Sequence, residues 1–327
     1  MIPIPIYNWV GEGMRVLVTG GDGFIGRHLA LALLKRGDYI HIIDNHITSS
    51  PSIEHYRLTR TEGDVCDLHR VLPDWDADVI VHLASVAIPK LYMDRPETVI
   101  LPNVFGTMRV CEYAERCGAR VIFSSTSEVY GSLLDQEPIG TPLRESDLSL
   151  SEMLTPRSPY SMSKKMGEEI VSYHIRRGLS GCSVRLFNVI GPEMDSEVSG
   201  YGRVVPNFMA ALNESMPLPI YGRGDQTRSF LWISDAIDAL VKLIISHDPM
   251  PEVINIGNPE PVTISSLADR FQIATSRPVG VTFLPEIPHE PKHRCPDISL
   301  AESFLDWTPK HSLDDAIRMI VEGEVMD

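Results

Sequence analysis

The sequence predicts an α/β protein built on a doubly wound parallel sheet, and two observations predict it. Short apolar runs that end in glycine or small polar residues recur along the chain, as is typical of buried parallel strands. Segments with helical spacing of apolar residues lie between these runs, and such alternation forms βαβ units with right-handed crossovers. We therefore expect a Rossmann-type sheet that is covered by helices on both faces.

The first predicted elements follow from apolar spacing and from glycine positions. Residues 15–19 form an apolar run ahead of a glycine-rich stretch and are predicted as a strand. The spacing then predicts a helix over 25–36 that ends at Gly37, because glycine readily adopts the left-handed conformation of a helix C-cap. A second strand is predicted at 39–44. Further strands are predicted at residues 79–83, 120–124, 183–187 and 253–256.

The character of the sequence changes in the C-terminal part of the chain. Prolines become frequent there and divide the chain into short pieces, which is typical of a smaller lobe. We expect a main domain at residues 14–188, to which residues 225–258 return. An interleaved C-terminal α/β lobe would then consist of residues 189–224 and 259–327. Residues 1–13 are interpreted as an N-terminal extension.

Composition excludes several classes of function. The chain has 327 residues and a formal net charge of −15, whereas a protein that binds nucleic acid needs a basic surface. The five cysteines form no CxxC pair, so we expect neither a disulfide framework nor a zinc site, and no other metal. Reduced thiols favour a cytoplasmic location.

Membrane association is also not expected. The N-terminus has prolines at positions 3 and 5 and lacks the basic start of a signal peptide. No apolar run approaches the roughly 20 residues that a membrane-spanning helix needs. These observations predict a soluble protein.

A glycine pattern between the first strand and the first helix predicts a dinucleotide site. Gly20, Gly23 and Gly26 allow the backbone to approach a pyrophosphate, and the N-terminus of the helix supplies unpaired N–H groups. Asp44 ends the second predicted strand 18 residues after Gly26, where a carboxylate accepts hydrogen bonds from a ribose 2′-hydroxyl. Because this charge would repel a 2′-phosphate, NAD is favoured over NADP as the cofactor.

A second pattern predicts acid–base chemistry. Tyr160 and Lys164 are four positions apart near the start of a predicted helix, so both side chains share one helix face. A nearby ammonium lowers the pKa of a phenol, which suits Tyr160 as a base. Thr126 is predicted to donate a hydrogen bond to the same substrate oxygen.

These motifs together resemble the extended short-chain dehydrogenases/reductases, the NAD-dependent nucleotide-sugar epimerase/dehydratase family, over nearly the whole chain from residue 14. The matching stretches are TGGDGFIG (19–26), HLAS (82–85), NVFGT (103–107), STSEVYG (125–131), PRSPYSMSK (156–164), RLFNVIGP (185–192) and YGRGDQTRSF (221–230).

The resemblance implies roles for many residues. Tyr160 would be the base for oxidation of the sugar 4-hydroxyl, and Lys164 would position the nicotinamide ribose. Other predicted cofactor-binding residues are Gly20, Gly23, Phe24, Ile25, Gly26, Asp44, Asn45, Asp64, Val65, Leu83, Ala84, Ser85, Asn103 and Ser124. The predicted substrate-binding residues are Tyr92, Thr126, Asn188, Arg203, Val205, Tyr221, Arg228 and Arg294.

Glu128 separates subclasses within this family. Family members that act at C5 carry a glutamate at this point, and Thr126-Ser127-Glu128 is similar to the triplet of UDP-glucuronate decarboxylases and of GDP-mannose 4,6-dehydratases. We therefore add Ser127 and Glu128 to the predicted catalytic residues.

Two further stretches resemble the decarboxylases. They are residues 88–96 and the C-terminal stretch 293–298, continued at 305–309. The resemblance associates Arg294 with the substrate carboxylate and with catalysis, although related enzymes use a similar arginine for the diphosphate. One departure is Glu193, where decarboxylases often have arginine.

The expected function is therefore decarboxylation of UDP-glucuronate through a 4-keto intermediate, with UDP-xylose or the 4-keto pentose as product. A nucleotide-sugar 4,6-dehydratase or 4-epimerase, including a UDP-glucuronate 4-epimerase, is the alternative. An NAD-binding sensor without catalysis is a third hypothesis. The resemblance also implies a homodimer that pairs through helices at 98–117 and 159–178, with apolar positions Val99, Val104, Met108, Val110, Met162, Met166, Ile170 and Val171.

Overall fold

A seven-stranded parallel sheet lies at the centre of the protein, and the predicted fold class is confirmed. The structure is a computed structural model that describes residues 13–51, 53–72, 75–135, 141–147, 155, 157–192, 194, 203–247, 249–286 and 291–323. Its strands are β1 (Arg15–Thr19), β2 (Tyr39–Asp44), β3 (Leu58–Glu62), β4 (Val79–His82), β5 (Arg120–Thr126), β6 (Gly181–Leu186), β7 (Val189–Ile190), β8 (Leu218–Tyr221), β9 (Thr227–Ser229), β10 (Leu231–Trp232), β11 (Val253–Ile256), β12 (Pro261–Thr263) and β13 (Val281–Leu284).

Eleven α-helices in the described part of the chain connect these strands. They are α1 (Phe24–Arg36), α2 (Leu68–Val71), α3 (Pro89–Asp94), α4 (Glu97–Ile100), α5 (Thr107–Cys117), α6 (Ser158–Ile175), α7 (Val204–Asn213), α8 (Ile233–Ile245), α9 (Ile264–Thr275), α10 (Ser299–Leu305) and α11 (Leu313–Glu322). A π-helical turn at Leu101–Gly106 joins α4 to α5, and 3-10 turns lie at Val65–Asp67 and Ser127–Asp135.

The order of the strands indicates where a ligand site is expected. The sheet runs β11–β6–β5–β4–β1–β2–β3, and every neighbouring pair in it is parallel. The direction of winding reverses between β1 and β4, and ligands of such sheets bind outside the carboxyl ends of the strands at this point. Thr19 and His82 end these two strands, and their side chains hydrogen-bond at 2.7 Å.

Helices cover both faces of the sheet because alternate strand residues point to opposite sides. Val16 and Val18 of β1 belong to one buried cluster with residues of α1 and α8. Leu17, between them, belongs to a second cluster with residues of α5 and α6. The sheet is therefore buried on both sides, which explains its nearly continuous apolar strands.

Most predicted elements were located correctly, with shifts at their ends. Helix α1 begins one residue earlier than predicted and ends at Gly37, whose φ is 97°. The strand predicted at 120–124 continues to Thr126, and the one predicted at 183–187 lies at Gly181–Leu186. Strand β3 was missed because Leu58–Glu62 is a polar edge strand with little apolar pattern.

The C-terminal part contributes small sheets of two strands each. Strand β8 pairs with β13, β9 with β12, and β7 with β10. Between these pairs the chain returns to the main sheet, where β11 pairs with β6. None of the helices in the described part of the chain is long and apolar enough to span a membrane. The predicted extension at 1–13, apart from its last residue, and Glu193 lie outside the described residues.

Candidate active site

A cavity of about 500 Å³ runs along the carboxyl ends of the central strands. All predicted catalytic residues line it, and so do the predicted cofactor-binding and substrate-binding residues other than Asn103, Tyr221 and Arg228. Asn103 lies behind the wall in the π-helical turn, where its Nδ2 donates to Ser163 Oγ at 3.0 Å. A large cavity that gathers polar groups from several loops is the usual form of an active site in this fold.

The glycine loop makes a cradle that side chains would fill. A Cβ atom on Gly20, whose φ is +70°, would lie 2.6 Å from the backbone nitrogen of Ala84. A Cβ on Gly26 would lie 2.5 Å from the carbonyl oxygen of Gly20. No side chain caps the N-terminus of α1 at Gly23, so its backbone N–H groups remain for a ligand. This cradle fits a pyrophosphate.

Asp44 organises the far side of the cradle. Its carboxylate accepts hydrogen bonds from the backbone N–H of Asp22 at 3.1 Å and from that of His46 at 2.9 Å. Ser49 Oγ donates to it at 3.0 Å. Asp44 is thus held at the edge of the cavity by its own loop and by the glycine loop.

Asp22 forms a buried ion pair that sequence reasoning missed. Its carboxylate accepts from Arg60 Nε at 3.0 Å and contacts His46 Nε2 at 3.0 Å. A carboxylate in the pyrophosphate loop would oppose an anionic ligand, and the guanidinium of Arg60 offsets that charge. The sequence did not indicate this ion pair because Arg60 lies on strand β3, which was not predicted.

The predicted adenine end of the cavity is built by Asp64. Its Oδ1 accepts from the backbone N–H of Cys66 at 2.8 Å and caps the short turn that contains Val65. Asn45 Nδ2 donates to the other carboxylate oxygen at 3.3 Å. Ser85 also lines the cavity, and its Oγ is buried without a hydrogen-bond partner among the described residues. An unpartnered buried hydroxyl indicates a position that a ligand completes.

Tyr160 and Lys164 lie on the first two turns of α6, as predicted. The pKa of the Tyr160 phenol is raised by burial and by the charge of Glu128, while a hydrogen bond with Thr126 and two arginines act in the other direction. This direction is opposite to the lowering that the sequence predicted from Lys164, because burial outweighs the nearby positive charges. Burial lowers the pKa of Lys164 to about 7, against the attraction of Glu168. Lys164 Nζ donates to the carbonyl oxygen of Ser124 at 2.6 Å, which fixes the ammonium beside β5.

A buried ion pair between Glu168 and Arg185 stabilises the position of α6, which carries Tyr160 and Lys164. Glu168, one turn after Lys164, accepts from Arg185 Nε at 2.9 Å and from Nη2 at 2.8 Å. Ser125 Oγ donates to the same carboxylate at 2.5 Å. These contacts join α6 to β5 and β6, so the two strands set the position of the helix that carries Tyr160.

Glu128 is held between two guanidinium groups on the cavity wall. Arg157 Nη2 donates to Glu128 Oε1, and Arg294 Nη1 lies 3.5 Å from the same oxygen. Sequence reasoning missed Arg157, although it stands only three residues before Tyr160 in a quoted motif. The cavity therefore presents a phenol, a hydroxyl, a carboxylate and two guanidinium groups, which suits acid–base chemistry on an anionic sugar.

Comparison with protein families and curated proteins gives consistent matches. The sequence model of the NAD dependent epimerase/dehydratase family matches residues 16–257. UDP-glucuronic acid decarboxylase 3 of Arabidopsis thaliana is 34% identical over an alignment of 329 positions, which covers 98% of this chain and 92% of the relative. UDP-glucuronic acid decarboxylase 1 of Danio rerio is 33% identical over 311 residues, which cover 94% of this chain and 72% of the relative.

Solved structures match the whole fold. UDP-glucuronic acid 4-epimerase from Bacillus cereus, in complex with UDP-glucuronic acid and NAD, has a TM-score of 0.81 and 27% identity, with 95% of this chain and 98% of that chain covered. UDP-glucose 4-epimerase from Thermotoga maritima, with UDP-glucose, has a TM-score of 0.85 and 25% identity at the same coverage of both chains.

Proposed function

The chain belongs to the NAD-dependent epimerase/dehydratase family, and from this premise we propose that it decarboxylates UDP-glucuronate through a 4-keto intermediate. It is an enzyme that transforms a nucleotide sugar with NAD as its cofactor. Decarboxylation is the finer part of the proposal, with UDP-xylose or the 4-keto pentose as the product.

The observation that carries the proposal is the contact of Glu128 with Arg157 and Arg294 in the cavity that also contains Tyr160. A 4-epimerase needs only to remove and return a hydride at C4. A carboxylate and guanidinium groups beside the base support an additional step at the neighbouring carbons. The curated relatives that are named UDP-glucuronic acid decarboxylases support the same conclusion.

Residues of the cradle would hold the cofactor. Backbone N–H groups at the start of α1 would bind the pyrophosphate, Asp44 would bind the ribose, and Asp64 would lie at the adenine. Lys164 would contact the nicotinamide ribose. When bound, NAD accepts the hydride from C4 of the sugar and later returns it.

Tyr160 would begin the chemistry by accepting the proton of the sugar 4-hydroxyl, once the positive nicotinamide of bound NAD offsets the effect of burial on the phenol pKa. The ketone that forms at C4 is β to the C6 carboxylate. The C5–C6 bond can then break as its electron pair moves toward the C4 oxygen and carbon dioxide leaves. Thr126 and Tyr160 would donate hydrogen bonds to the enolate oxygen, where the negative charge accumulates. Protonation at C5 gives the 4-keto pentose, and UDP-xylose would form if the hydride then returns to C4 while Tyr160 gives its proton back to the C4 oxygen.

The remaining residues of the cavity would bind the nucleotide sugar. Asn188, Arg203 and Val205, which follow β6 in the chain, line the cavity. Tyr221 and Arg228 do not line the cavity, so we assign both an indirect part in substrate binding. We propose that residues 14–188 and 225–258 hold NAD, and that residues 189–224 and 259–327 hold the sugar.

A UDP-glucuronate 4-epimerase is the second candidate, because the solved epimerase from Bacillus cereus shares the fold and binds UDP-glucuronic acid. A 4,6-dehydratase acting on another nucleotide sugar is the third. Incubation with a panel of UDP-, dTDP- and GDP-sugars separates the first candidate from the other two, since only decarboxylation releases carbon dioxide.

We also propose a homodimer. Helix α6 exposes Met162 and Met166, and the neighbouring helical segment exposes Phe105 and Met108. Three members of the predicted stripe face the protein's own core, because they are fully buried: Val99, Val110 and Val171. The exposed members form an apolar surface suited to a second copy of the chain. A monomeric mass by light scattering at micromolar concentration would rule the dimer out.

A further inference from the structure

Asn255 joins three separate segments of the chain behind the wall of the cavity. It lies on the edge strand β11 of the main sheet and is fully buried. Its amide oxygen accepts from Tyr130 Oη at 2.7 Å, and its Nδ2 donates to the carbonyl oxygens of Leu143 at 2.9 Å and of Asp297 at 3.2 Å. Both N–H groups of the amide are therefore used.

Two of these segments carry charged residues of the cavity. Tyr130 follows Glu128 by two residues in the turn after β5, and Asp297 follows Arg294 by three residues. At the cavity wall, Arg294 Nη1 lies 3.5 Å from Glu128 Oε1. The amide of Asn255 thus links the backbone that carries the carboxylate to the backbone that carries the guanidinium.

Further contacts hold the segment of Arg294 against the end of β11. The backbone N–H of Leu143 donates to the carbonyl oxygen of Cys295 at 2.9 Å. A Cβ on Gly257, the residue after β11, would lie 2.8 Å from Pro296 Cγ, so the two segments pack closely. The base is held by different contacts, those of α6 with β5 and β6 that are described above. A change at the amide should therefore displace the charged pair more than it displaces the base.

From these contacts we propose that Asn255 is a positioning residue that sets Arg294 against Glu128 and thereby serves the loss of carbon dioxide rather than the removal of the hydride. The inference rests on the proposed function, in which the C5–C6 bond of a glucuronate breaks after C4 is oxidised. That bond must align with the π system of the new ketone, because its electron pair moves toward the C4 oxygen. A guanidinium that holds the C6 carboxylate fixes this alignment, whereas oxidation at C4 depends on Tyr160 and NAD.

Tyr130→Phe tests the link because it removes the hydroxyl that binds Asn255 and keeps the buried ring. A single turnover of UDP-glucuronate labelled at C6, on holoenzyme loaded with NAD, gives two rate constants. One is for NADH formation, measured by absorbance, and the other is for release of labelled carbon dioxide, measured by mass spectrometry. We expect carbon dioxide release to slow about tenfold, as for a slightly misplaced group, and NADH formation to slow less than about twofold.

Tyr113→Phe is the matched control. Tyr113 is also fully buried, and its Oη donates to the carbonyl oxygen of Trp75 at 2.7 Å. It lies on α5 in the buried cluster on one face of the sheet and does not line the cavity. Its loss of a hydroxyl should leave the ratio of the two rate constants unchanged. A purely destabilising variant lowers the amplitude of both signals by the same factor.

A double-mutant cycle tests whether Tyr130 acts through Asn255. The guanidinium of Arg185 lies 4.7 Å from the centre of the Tyr130 ring and is an alternative route. In an Asn255→Ala background no amide accepts from the tyrosine, so Tyr130→Phe should change carbon dioxide release by less than about twofold. A persistent tenfold effect in that background would overturn the inference. If Asn255→Ala does not fold, Tyr130→Phe alone decides, and equal slowing of both rate constants, or of neither, would overturn it.

Failure of the proposed function is read separately. If the wild-type holoenzyme forms NADH but releases no carbon dioxide from UDP-glucuronate, decarboxylation is wrong. If it releases carbon dioxide while Tyr130→Phe keeps the wild-type ratio of rate constants, decarboxylation stands and the role of Asn255 is wrong.

Discussion

The ring of Tyr92 lies parallel to the ring of Tyr160, with centroids 5.2 Å apart and planes inclined by 8°. Tyr92 is fully buried on α3 and packs with Ile88 and Val99. The ring of the proposed base thus rests against a fixed aromatic wall, while its hydroxyl bonds to Thr126. Packing sets the position of the ring, and the hydrogen bond sets the direction of the phenol oxygen.

We predict that Tyr92→Ala lowers kcat about threefold to tenfold, because a stacked aromatic pair contributes about 0.5–1.5 kcal/mol beyond its buried area. Tyr92→Phe keeps the ring and should retain most of the activity. Steady-state kinetics of both variants provide the measurement. Equal losses in the two variants would show that the Tyr92 hydroxyl, and not the stacking, is what matters.

Tyr160→Phe should lower turnover by about 10²–10⁴-fold, the usual contribution of a positioned acid–base group. The affinity for NAD should change little, because only the phenolic oxygen is removed. Turnover and NAD titration by fluorescence measure the two effects. A variant that keeps most of its activity would refute the assignment of Tyr160 as the base.

The sequence predicted the catalytic helix and most of the cavity because their signals are local. Glycines 20, 23 and 26 and the Tyr160–Lys164 pair each lie within a few residues of one another along the chain. The sequence did not predict the Arg60–Asp22 pair, which joins residues 38 positions apart across an unpredicted polar strand. Contacts between distant segments depend on strand order and register, and a single sequence carries little information about either.

The role of Arg157 was not predicted for a different reason. Its position was visible in the quoted motif, but an arginine at the start of a helix is ordinarily a solvated surface residue. Only the fold brings the end of β5 beside the start of α6, and so makes Glu128 its partner. The predicted interface stripe failed in part for a similar reason, because helical spacing alone does not say which face of a helix the sheet covers.

Lys164→Met should change how stability depends on pH. The pKa of Lys164 is lowered to about 7 in the folded protein from its ordinary value of 10.5, mainly by burial. Between pH 7 and 10 the unfolded chain therefore binds more protons than the folded one, and this lysine makes stability rise with pH in that range.

The variant lacks this contribution, so its melting temperature relative to wild type should be highest near pH 6 and should fall toward pH 10. Thermal unfolding of the cofactor-free protein across this range is the measurement. Lys165→Met, which removes the next lysine on the same helix, is the control. A difference from wild type that does not vary with pH would contradict the account.

Asp44→Asn should reduce the preference for NAD over NADP. The amide keeps nearly the same shape, and its single oxygen can still accept from the backbone N–H of either His46 or Asp22, but it no longer repels a 2′-phosphate. We expect NADP affinity to rise relative to NAD affinity, measured by titration of both cofactors. Asp44→Ala should weaken NAD binding further. Unchanged selectivity in both variants would mean that Asp44 serves its loop and not the ribose.

The most direct test of the central claim is product analysis with UDP-glucuronate that carries ¹³C at C6, incubated with wild-type enzyme and NAD. We predict labelled carbon dioxide and an unlabelled UDP-pentose or its 4-keto form in equal amounts. Glu128→Gln should bind the nucleotide sugar and release little carbon dioxide. Conversion to UDP-galacturonate with all of the label retained would contradict decarboxylation and make the protein an epimerase.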